Sequence, residues 1–99
     1  MLNHIVLLKL KPDVNEDLVN EMYDQVRGLM KTIPEIASIT GGKNISKERF
    51  NQGYTEGFVV IFRDISSRDE YLTHSDHVKV ANDYVIPISE KVLVFDYEV

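Results

Sequence analysis

The chain contains no cysteine and no tryptophan, and it has no long hydrophobic run. The absence of cysteine excludes a disulfide framework, a thiolate metal site and a thiol nucleophile. No apolar stretch approaches the ~20 residues that a membrane-spanning helix needs. The apolar segment Ile5 to Leu8 is too short for a signal peptide, and lysines follow it rather than precede it. These absences predict a cytoplasmic domain with no membrane partner.

Positive charge is also scarce. The chain has 11 Lys and Arg against 16 Asp and Glu, which gives a formal net charge of −5. Binding to nucleic acid requires clustered Lys and Arg that neutralise phosphates, so we expect no nucleic-acid partner. A length of 99 residues leaves room for a single domain, residues 1–99, with one hydrophobic core.

Hydrophobic patterning predicts four strands and two helices in the order β-α-β-β-α-β. The strands are expected at residues 1–10, 36–45, 57–63 and 91–99. Three of them, all but the second, carry apolar residues on both faces of the pleat. The pair Gly41-Gly42 inside the second strand predicts a bulge or a sharp bend. This order predicts an α+β ferredoxin-like sandwich with both helices on one face of the sheet.

The two helices have different sequence signals. Asn15 is a good N-cap for the first helix, and Pro34 is expected to end it. Its apolar stripe consists of Leu18, Met22, Val26, Leu29 and Ile33. Ser67 followed by Glu70 is typical of a capping box and predicts the start of the second helix. This helix is expected to be irregular around residues 74–76.

Strands that are apolar on both faces have a consequence for assembly. The helices cover only one face of the sheet, so the other face would be a contiguous exposed apolar patch, larger than monomeric proteins tolerate. A second copy of the chain covers such a patch economically by packing sheet against sheet. We therefore expect a homodimer formed through the open face of the sheet.

Three histidines are the main candidates for chemistry. His4 alternates with apolar residues in the first strand, so its ring is expected to be buried and to need a hydrogen-bond partner. His74 and His77 are three residues apart, yet no third ligand stands at a metal-binding spacing, which favours two polar residues at a helix irregularity. Tyr71 precedes His77 by about two helical turns. A tyrosine and a histidine that meet in an apolar cavity form an acid/base pair, with the phenol stabilising an oxyanion.

Several short motifs occur in order along the whole chain. The most specific are Tyr-x-x-His-x-x-His-Val, which begins at Tyr71, and the ending Phe95-Asp96-Tyr97. The others are His4-Ile5-Val6-Leu7-Leu8-Lys9, Ile33-Pro34, Gly42-Lys43-Asn44 and Gly53-Tyr54-Thr55. With these motifs the sequence resembles the stress-responsive A/B-barrel family, also called Dabb. The resemblance implies a ferredoxin-like subunit and a homodimeric α/β barrel.

The resemblance also implies roles for individual residues. In the polyketide cyclases of this family, which close a linear polyketide by aldol condensation, the base corresponds to His77 and an assisting tyrosine to Tyr71. A first-strand histidine of those cyclases corresponds to His4. His74 belongs to the same motif as the acid/base pair and is expected at the pocket.

This sequence differs from those cyclases at two pocket positions. Glu56 stands where they have a pocket histidine, and their pocket tyrosine corresponds to Val26, with Tyr23 one turn away. The predicted substrate-binding residues are therefore His4, Glu56, Tyr23, Val26 and His74. Because the cavity differs, the cyclase substrate does not carry over.

Some structures of the family hold a divalent cation where backbone carbonyls emerge at the end of the first helix. The matching carbonyls are those of Met30, Ile33 and Ile36, and the free carbonyls at a helix C-terminus attract cations weakly. An adventitious ion such as Mg²⁺ from a crystallisation buffer explains this site at least as well. We therefore expect no required cofactor.

Three functions are compatible with the sequence. The first is a homodimeric domain that binds an apolar or aromatic small molecule in a pocket lined by His and Tyr. The second is an acid/base enzyme of the cyclase or lyase type without an organic cofactor, which uses His77 as base and Tyr71 as its partner. The third is a non-catalytic structural or stress-protective dimer. The sequence leaves open whether the protein is an enzyme.

Overall fold

Four antiparallel strands form one sheet, and the helices lie on one side of it. The computed structural model describes all 99 residues. The strands are β1 (Leu2–Leu10), β2 (Ile36–Lys43), β3 (Tyr54–Phe62) and β4 (Ser89–Glu98), in the spatial order β2-β3-β1-β4. This arrangement confirms the predicted ferredoxin-like α+β fold and places β1 inside the sheet, between β3 and β4.

The helical segments connect these strands. Helix α1 (Glu16–Gly28) continues into a 3₁₀ turn (Leu29–Lys31), and helix α2 (Ile65–Thr73) is followed by helix α3 (Ser75–Val80). A π-helical turn and a 3₁₀ turn over residues 81–88 then lead into β4. None of the helices has the length and apolar character required to cross a membrane.

The two faces of the sheet differ in their exposure. On the helix-facing side, alternate residues of β1 and β3 are buried in the core, among them Leu8, Val60 and Phe62. The opposite side, which we call the open face, consists of half-exposed or exposed apolar residues from the three strands β1, β3 and β4: Ile5, Leu7, Val59, Ile61, Leu93, Phe95 and Tyr97. The helices therefore leave one apolar face of the sheet uncovered.

The first helix begins as predicted but ends earlier. The Asn15 side chain accepts a hydrogen bond from the Leu18 N–H at 3.0 Å, which confirms the N-cap. The helix ends at Gly28, well before Pro34. Leu18 was predicted on the apolar stripe but is 45% exposed, whereas Val19 is buried. The helix is rotated so that Val19 faces the sheet, which turns Leu18 toward solvent.

The predicted bulge at Gly41-Gly42 was wrong. Both glycines pair regularly with β3, Gly41 with Phe58 and Gly42 with Gly57, and the register shift lies instead between Ile36 and Ser38. A Cβ atom added to Gly41 would lie 2.6 Å from the Phe58 Cβ, closer than real Cβ contacts. Gly41 therefore permits the close approach of two strands.

The start of the second helix was also misplaced. The N-cap is Asp64, whose carboxylate accepts a hydrogen bond from the Ser67 N–H at 2.9 Å, so Ser67 lies within the helix. The predicted irregularity is confirmed, because α2 ends before His74. The His74 ring caps the next helix through a hydrogen bond from the Asp76 N–H to Nδ1, at 3.1 Å.

Candidate functional site

A cavity of about 250 Å³ lies on the helix-facing side of β1 and β4, beneath α2, α3 and the end of α1. Twelve of its fifteen lining residues are hydrophobic, and the other three are His4, His77 and Asp96. The helices leave the helix-facing side of β4 largely uncovered, so its residues Val92 and Val94 line the cavity yet remain exposed. The site is thus an apolar pocket with few polar groups.

Tyr71 and His77 meet in this cavity. Their ring centroids lie 4.1 Å apart with 36° between the ring planes. Tyr71 is on α2 and His77 is on α3, and the break at His74 brings the two rings into contact. Tyr71 is 2% exposed and also packs against Phe62, at 5.0 Å between centroids, and against His4 at 5.9 Å. Its ring is therefore fixed on several sides.

The hydrogen bonding of His77 defines its neutral form. Its Nδ1 atom lies 3.3 Å from the Leu72 carbonyl oxygen. A carbonyl only accepts hydrogen bonds, so Nδ1 carries the proton and Nε2 keeps its lone pair. Burial lowers the pKa of His77 below its ordinary value, although the Leu72 hydrogen bond opposes this shift. His77 is therefore neutral at pH 7, with Nε2 able to accept a proton.

The Tyr71 phenol keeps its proton and acts as a donor, whereas His77 Nε2 is an acceptor. Burial raises the pKa of Tyr71, because the ionised form would lose its hydration. The hydroxyl thus stays protonated at any ordinary pH and acts as a hydrogen-bond donor. A protonated phenol beside a neutral imidazole suits a site in which negative charge develops on a ligand oxygen.

His4 is held by a carboxylate that sequence analysis did not assign to the site. His4 Nδ1 lies 2.7 Å from Asp96 Oδ1, and the two residues are directly opposite each other on β1 and β4. Arg68 Nη1 lies 2.7 Å from the other oxygen of Asp96, and Arg68 Nε lies 2.9 Å from Asp69 Oδ1. One signal for Asp96 was present in the sequence. It alternates with Val92 and Val94, which places a carboxylate on an otherwise apolar strand face.

The predicted pocket residues fall into two groups. His4, Val26, Tyr71 and His77 all line the cavity. The other three lie outside it: His74 caps α3, and Tyr23 and Glu56 lie elsewhere in the chain.

Tyr23 and Glu56 are brought together in the interior, away from the cavity. The Tyr23 hydroxyl lies 3.0 Å from Glu56 Oε1, and Lys43 Nζ lies 3.2 Å from Glu56 Oε2. Glu56 is 3% exposed, so these two partners compensate a buried carboxylate. Burial also raises the pKa of Tyr23, which keeps its phenol protonated. Glu56 borders a second, more polar cavity of about 420 Å³ beside the β2–β3 loop.

The predicted cation site lies at the end of α1. The Ile33 carbonyl already accepts a hydrogen bond from the Ile36 N–H at 3.2 Å, so one of the three predicted ligands is partly engaged within the chain. The carbonyl set of Met30, Ile33 and Ile36 stays a prediction. The structure contains no group of three or more His, Asp or Glu side chains arranged to hold a metal ion.

Two known proteins are similar to this chain over most of their own length. Olivetolic acid cyclase from Cannabis sativa is 29% identical over 94 residues, covering 95% of this chain and 92% of that protein. A stress-response A/B barrel domain-containing protein from Arabidopsis thaliana is 30% identical over 95 residues, covering 96% of this chain and 86% of that protein.

A solved structure is similar to this chain in both fold and sequence. The crystal structure of a dimeric ferredoxin-like protein of unknown function from Jannaschia sp. CCS1 has a TM-score of 0.85 and 27% identity, covering 99% of this chain and 98% of that one. The family model described as the stress responsive A/B barrel domain matches residues 2–99. The chain is a member of the stress-responsive A/B-barrel (Dabb) family.

Proposed function

We propose that this protein binds an apolar or aromatic small molecule in the cavity beneath α2 and α3. The observation that carries this proposal is the composition of the cavity wall, where His4, Tyr71 and His77 stand among hydrophobic side chains. Pockets for small molecules are typically of this kind, mostly apolar with few polar groups that fix orientation. A volume of about 250 Å³ lies just below the ~300–1,000 Å³ typical of such pockets. The ligand is therefore about one aromatic ring with short substituents.

Titration by NMR tests this binding directly. Phenol, toluene and acetophenone are added in turn to protein with ¹⁵N-labelled histidines. The ring signals of His77 and His4 are expected to shift on binding, whereas those of His74 serve as an internal control because its ring lies outside the cavity wall. Unchanged His77 and His4 signals across the three probes would contradict the proposal.

Acid/base catalysis on the bound molecule is a second candidate function. It is supported by the neutral state of His77, by its contact with Tyr71 and by the similarity to a relative named as a cyclase. In this reaction His77 Nε2 takes a proton from a carbon next to a ligand carbonyl. The Tyr71 hydroxyl donates a hydrogen bond to the enolate oxygen that forms.

Proton exchange measures this step without knowledge of the substrate. Acetophenone fits the size limit, and exchange of its α-protons in D₂O is followed by ¹H NMR. A general base contributes typically ~10²–10⁴-fold, so His77→Gln is expected to lower the catalysed exchange at least about tenfold. His74→Asn is the matched control, because it removes an imidazole but keeps an N-cap acceptor for α3, and it should retain the rate. Undiminished exchange in His77→Gln would remove the proposed base.

The same proposal includes assembly as a homodimer through the open face. It is supported by the uncovered apolar residues of that face and by the dimeric relative from Jannaschia. Light scattering is expected to give twice the subunit mass of 11.4 kDa. A dimer that neither binds the probes nor catalyses exchange would leave the third function, a structural or stress-protective role.

A further inference from the structure

We propose that the second cavity, beside the β2–β3 loop, is filled by side chains of the partner subunit, because β4 of each subunit packs across β2 of the other. This orientation rests on the proposed homodimer. It adds how the two copies face each other and which side chains of one copy complete the surface of the other.

The floor of this cavity is a row of residues that crosses the sheet on its open face. Strand pairing places four residues side by side: Gly42 on β2, Gly57 on β3, Leu7 on β1 and Leu93 on β4. All four line the cavity of about 420 Å³. Because the glycines have no side chain, the row is hollow over β2 and β3 and raised over β1 and β4.

The hollow is centred on the edge strand β2. A Cβ atom on Gly57 would lie 2.8 Å from Leu7 Cδ2, so the Leu7 side chain already extends over β3. A Cβ atom on Gly42 meets nothing within 4 Å. The open space in this face of the sheet therefore lies over Gly42.

The same difference between β2 and β4 continues along the sheet. The next row has Thr40 on β2 and Phe95 on β4, and the row after it has Ser38 and Tyr97. Phe95 is 59% exposed and Tyr97 is 44% exposed. This side of the sheet thus has small residues along β2 and large, exposed apolar residues along β4.

Two such faces can pack as aligned sheets around a two-fold axis in two ways. Both copies use the same surface in a two-fold dimer. If the axis runs across the strands, β4 lies on the partner's β4, and the hollow over β2 faces the partner's hollow. If the axis runs along the strands, β4 of each copy lies on β2 of the other.

Close packing favours the second arrangement. Protein interiors and interfaces contain few voids, because atoms that line a void lose their contacts. With the axis along the strands, Leu93 lies over the partner's Gly42 and Phe95 lies over the partner's Thr40. Each large side chain then has a small residue opposite it. Phe50, which lines the same cavity and is 78% exposed, is covered as well.

This arrangement separates the roles of the two cavities. Leu93 belongs to the second cavity, whereas its neighbours Val92 and Val94 line the cavity beneath α2 and α3. The partner therefore fills the cavity on one side of β4 and leaves the cavity on the other side free for a ligand.

Isotope-filtered NOE spectroscopy tests the arrangement in the wild-type protein. Equal amounts of ¹³C,¹⁵N-labelled and unlabelled chain are mixed, so that NOEs between labelled and unlabelled protons report contacts across the interface. We expect NOEs from the Leu93 methyl groups and the Phe95 ring to the partner's Gly42 and to the partner's Thr40. NOEs between the Phe95 rings of the two subunits, with none at Gly42, would place β4 on β4 and overturn the inference.

A side chain added at Gly42 is an independent test. Gly42→Leu enters open space in the subunit but occupies the position inferred for the partner's Leu93. Overpacking of this kind should weaken association about tenfold or more, measured by sedimentation over a concentration series. Gly28→Leu is the matched control, because a Cβ atom there also meets nothing within 4 Å and Gly28 ends α1, away from the open face. Unchanged or tighter association of Gly42→Leu would contradict a partner side chain in the hollow.

The outcomes distinguish the orientation from the homodimer itself. A wild-type protein that is monomeric by light scattering would remove both. A dimer whose NOEs connect β4 only to the partner's β4 would remove the orientation and leave the homodimer standing. The wild-type NOEs decide if Gly42→Leu does not fold.

Discussion

The rings of Tyr71 and His77 pack 4.1 Å apart across the break between α2 and α3. This contact depends on the change of chain direction at His74, because the two residues belong to different helices. It places a protonated phenol against a neutral imidazole in an apolar pocket. The protonation states of both rings follow from burial, which raises the pKa of Tyr71 and lowers that of His77.

The lowered pKa of His77 predicts a pH dependence of stability. Between its folded-state pKa and the ordinary value of 6.5, the unfolded chain binds more protons than the folded chain. The free energy of unfolding is therefore expected to fall as the pH drops below about 6.5. Urea unfolding of His77→Gln between pH 7.5 and 5.5 should show a weaker pH dependence than the wild type. An equal slope in both proteins would contradict this, and His74→Asn, which keeps an N-cap acceptor for α3, is the control for removal of an imidazole.

The Tyr23 hydroxyl is expected to stabilise the buried Glu56 carboxylate. Tyr23→Phe removes a hydroxyl that lies 3.0 Å from Glu56 Oε1 and 2.9 Å from the Gly42 carbonyl oxygen, and it leaves Lys43 as the remaining side-chain partner of Glu56. Loss of a buried hydrogen-bond partner typically costs about 1–3 kcal/mol, so urea unfolding should show a loss in this range. Tyr84 is partly buried and its hydroxyl makes no hydrogen bond in the chain, so Tyr84→Phe should be nearly neutral. Equal stability of the two variants would show that the Tyr23 hydroxyl contributes nothing.

Dimerisation is expected to depend on one side of β4. Phe95 and Val94 are adjacent and similarly exposed, at 59% and 54%, but Phe95 belongs to the open face and Val94 faces the cavity. A lysine at Phe95 would bury an unpaired charge in the dimer interface, which should weaken association about a hundredfold or more. Sedimentation over a concentration series should then show monomers for Phe95→Lys and dimers for Val94→Lys. Dissociation by Val94→Lys alone would place the interface on the other side of the strand.

The two adjacent glycines of β2 are expected to respond differently to alanine. A Cβ on Gly41 would lie 2.6 Å from the Gly57 carbonyl oxygen, whereas a Cβ on Gly42 meets nothing within 4 Å. Overpacking typically costs about 1–3 kcal/mol, so Gly41→Ala should be clearly less stable than Gly42→Ala. Thermal unfolding at one protein concentration measures both variants. A Gly41→Ala variant as stable as Gly42→Ala would show that the strands can separate at no cost.

The order of the elements was predictable because each carries a local signal. The double-sided apolar strands, the Asn15 cap and the irregularity at His74 are all determined by residues close in the chain. The predicted helix start at Ser67 was wrong because Asp64, three residues earlier, offers a stronger acceptor to the free N–H groups. The predicted bulge at Gly41-Gly42 was wrong because a glycine in a strand is equally typical of close strand approach, which depends on the partner strand.

The candidate site was predictable in part for the same reason. Tyr71 and His77 are six residues apart on either side of the predicted irregularity at His74, so their contact follows from residues close in the chain. The partners of His4 could not be predicted from local sequence. Asp96 lies beside His4 because β1 pairs with β4, and Arg68 contacts Asp96 from α2. Glu56 and Tyr23 were predicted as pocket residues, yet strand register and helix rotation pair them with each other instead. Long-range pairing of this kind has no signature in a single segment.

Because β1 lies between β3 and β4, its strand pairing is completed only after β4 has been synthesised. His4 is synthesised 92 residues before the Asp96 carboxylate that holds it. Until β4 has left the exit tunnel, β1 has one unpaired edge and His4 lacks its carboxylate. Contacts at such sequence separation form slowly, because a long loop must close first. A chain that stalls before β4 therefore carries all three histidines but cannot assemble the cavity, so a His4 ring bound to Asp96 marks a completed subunit.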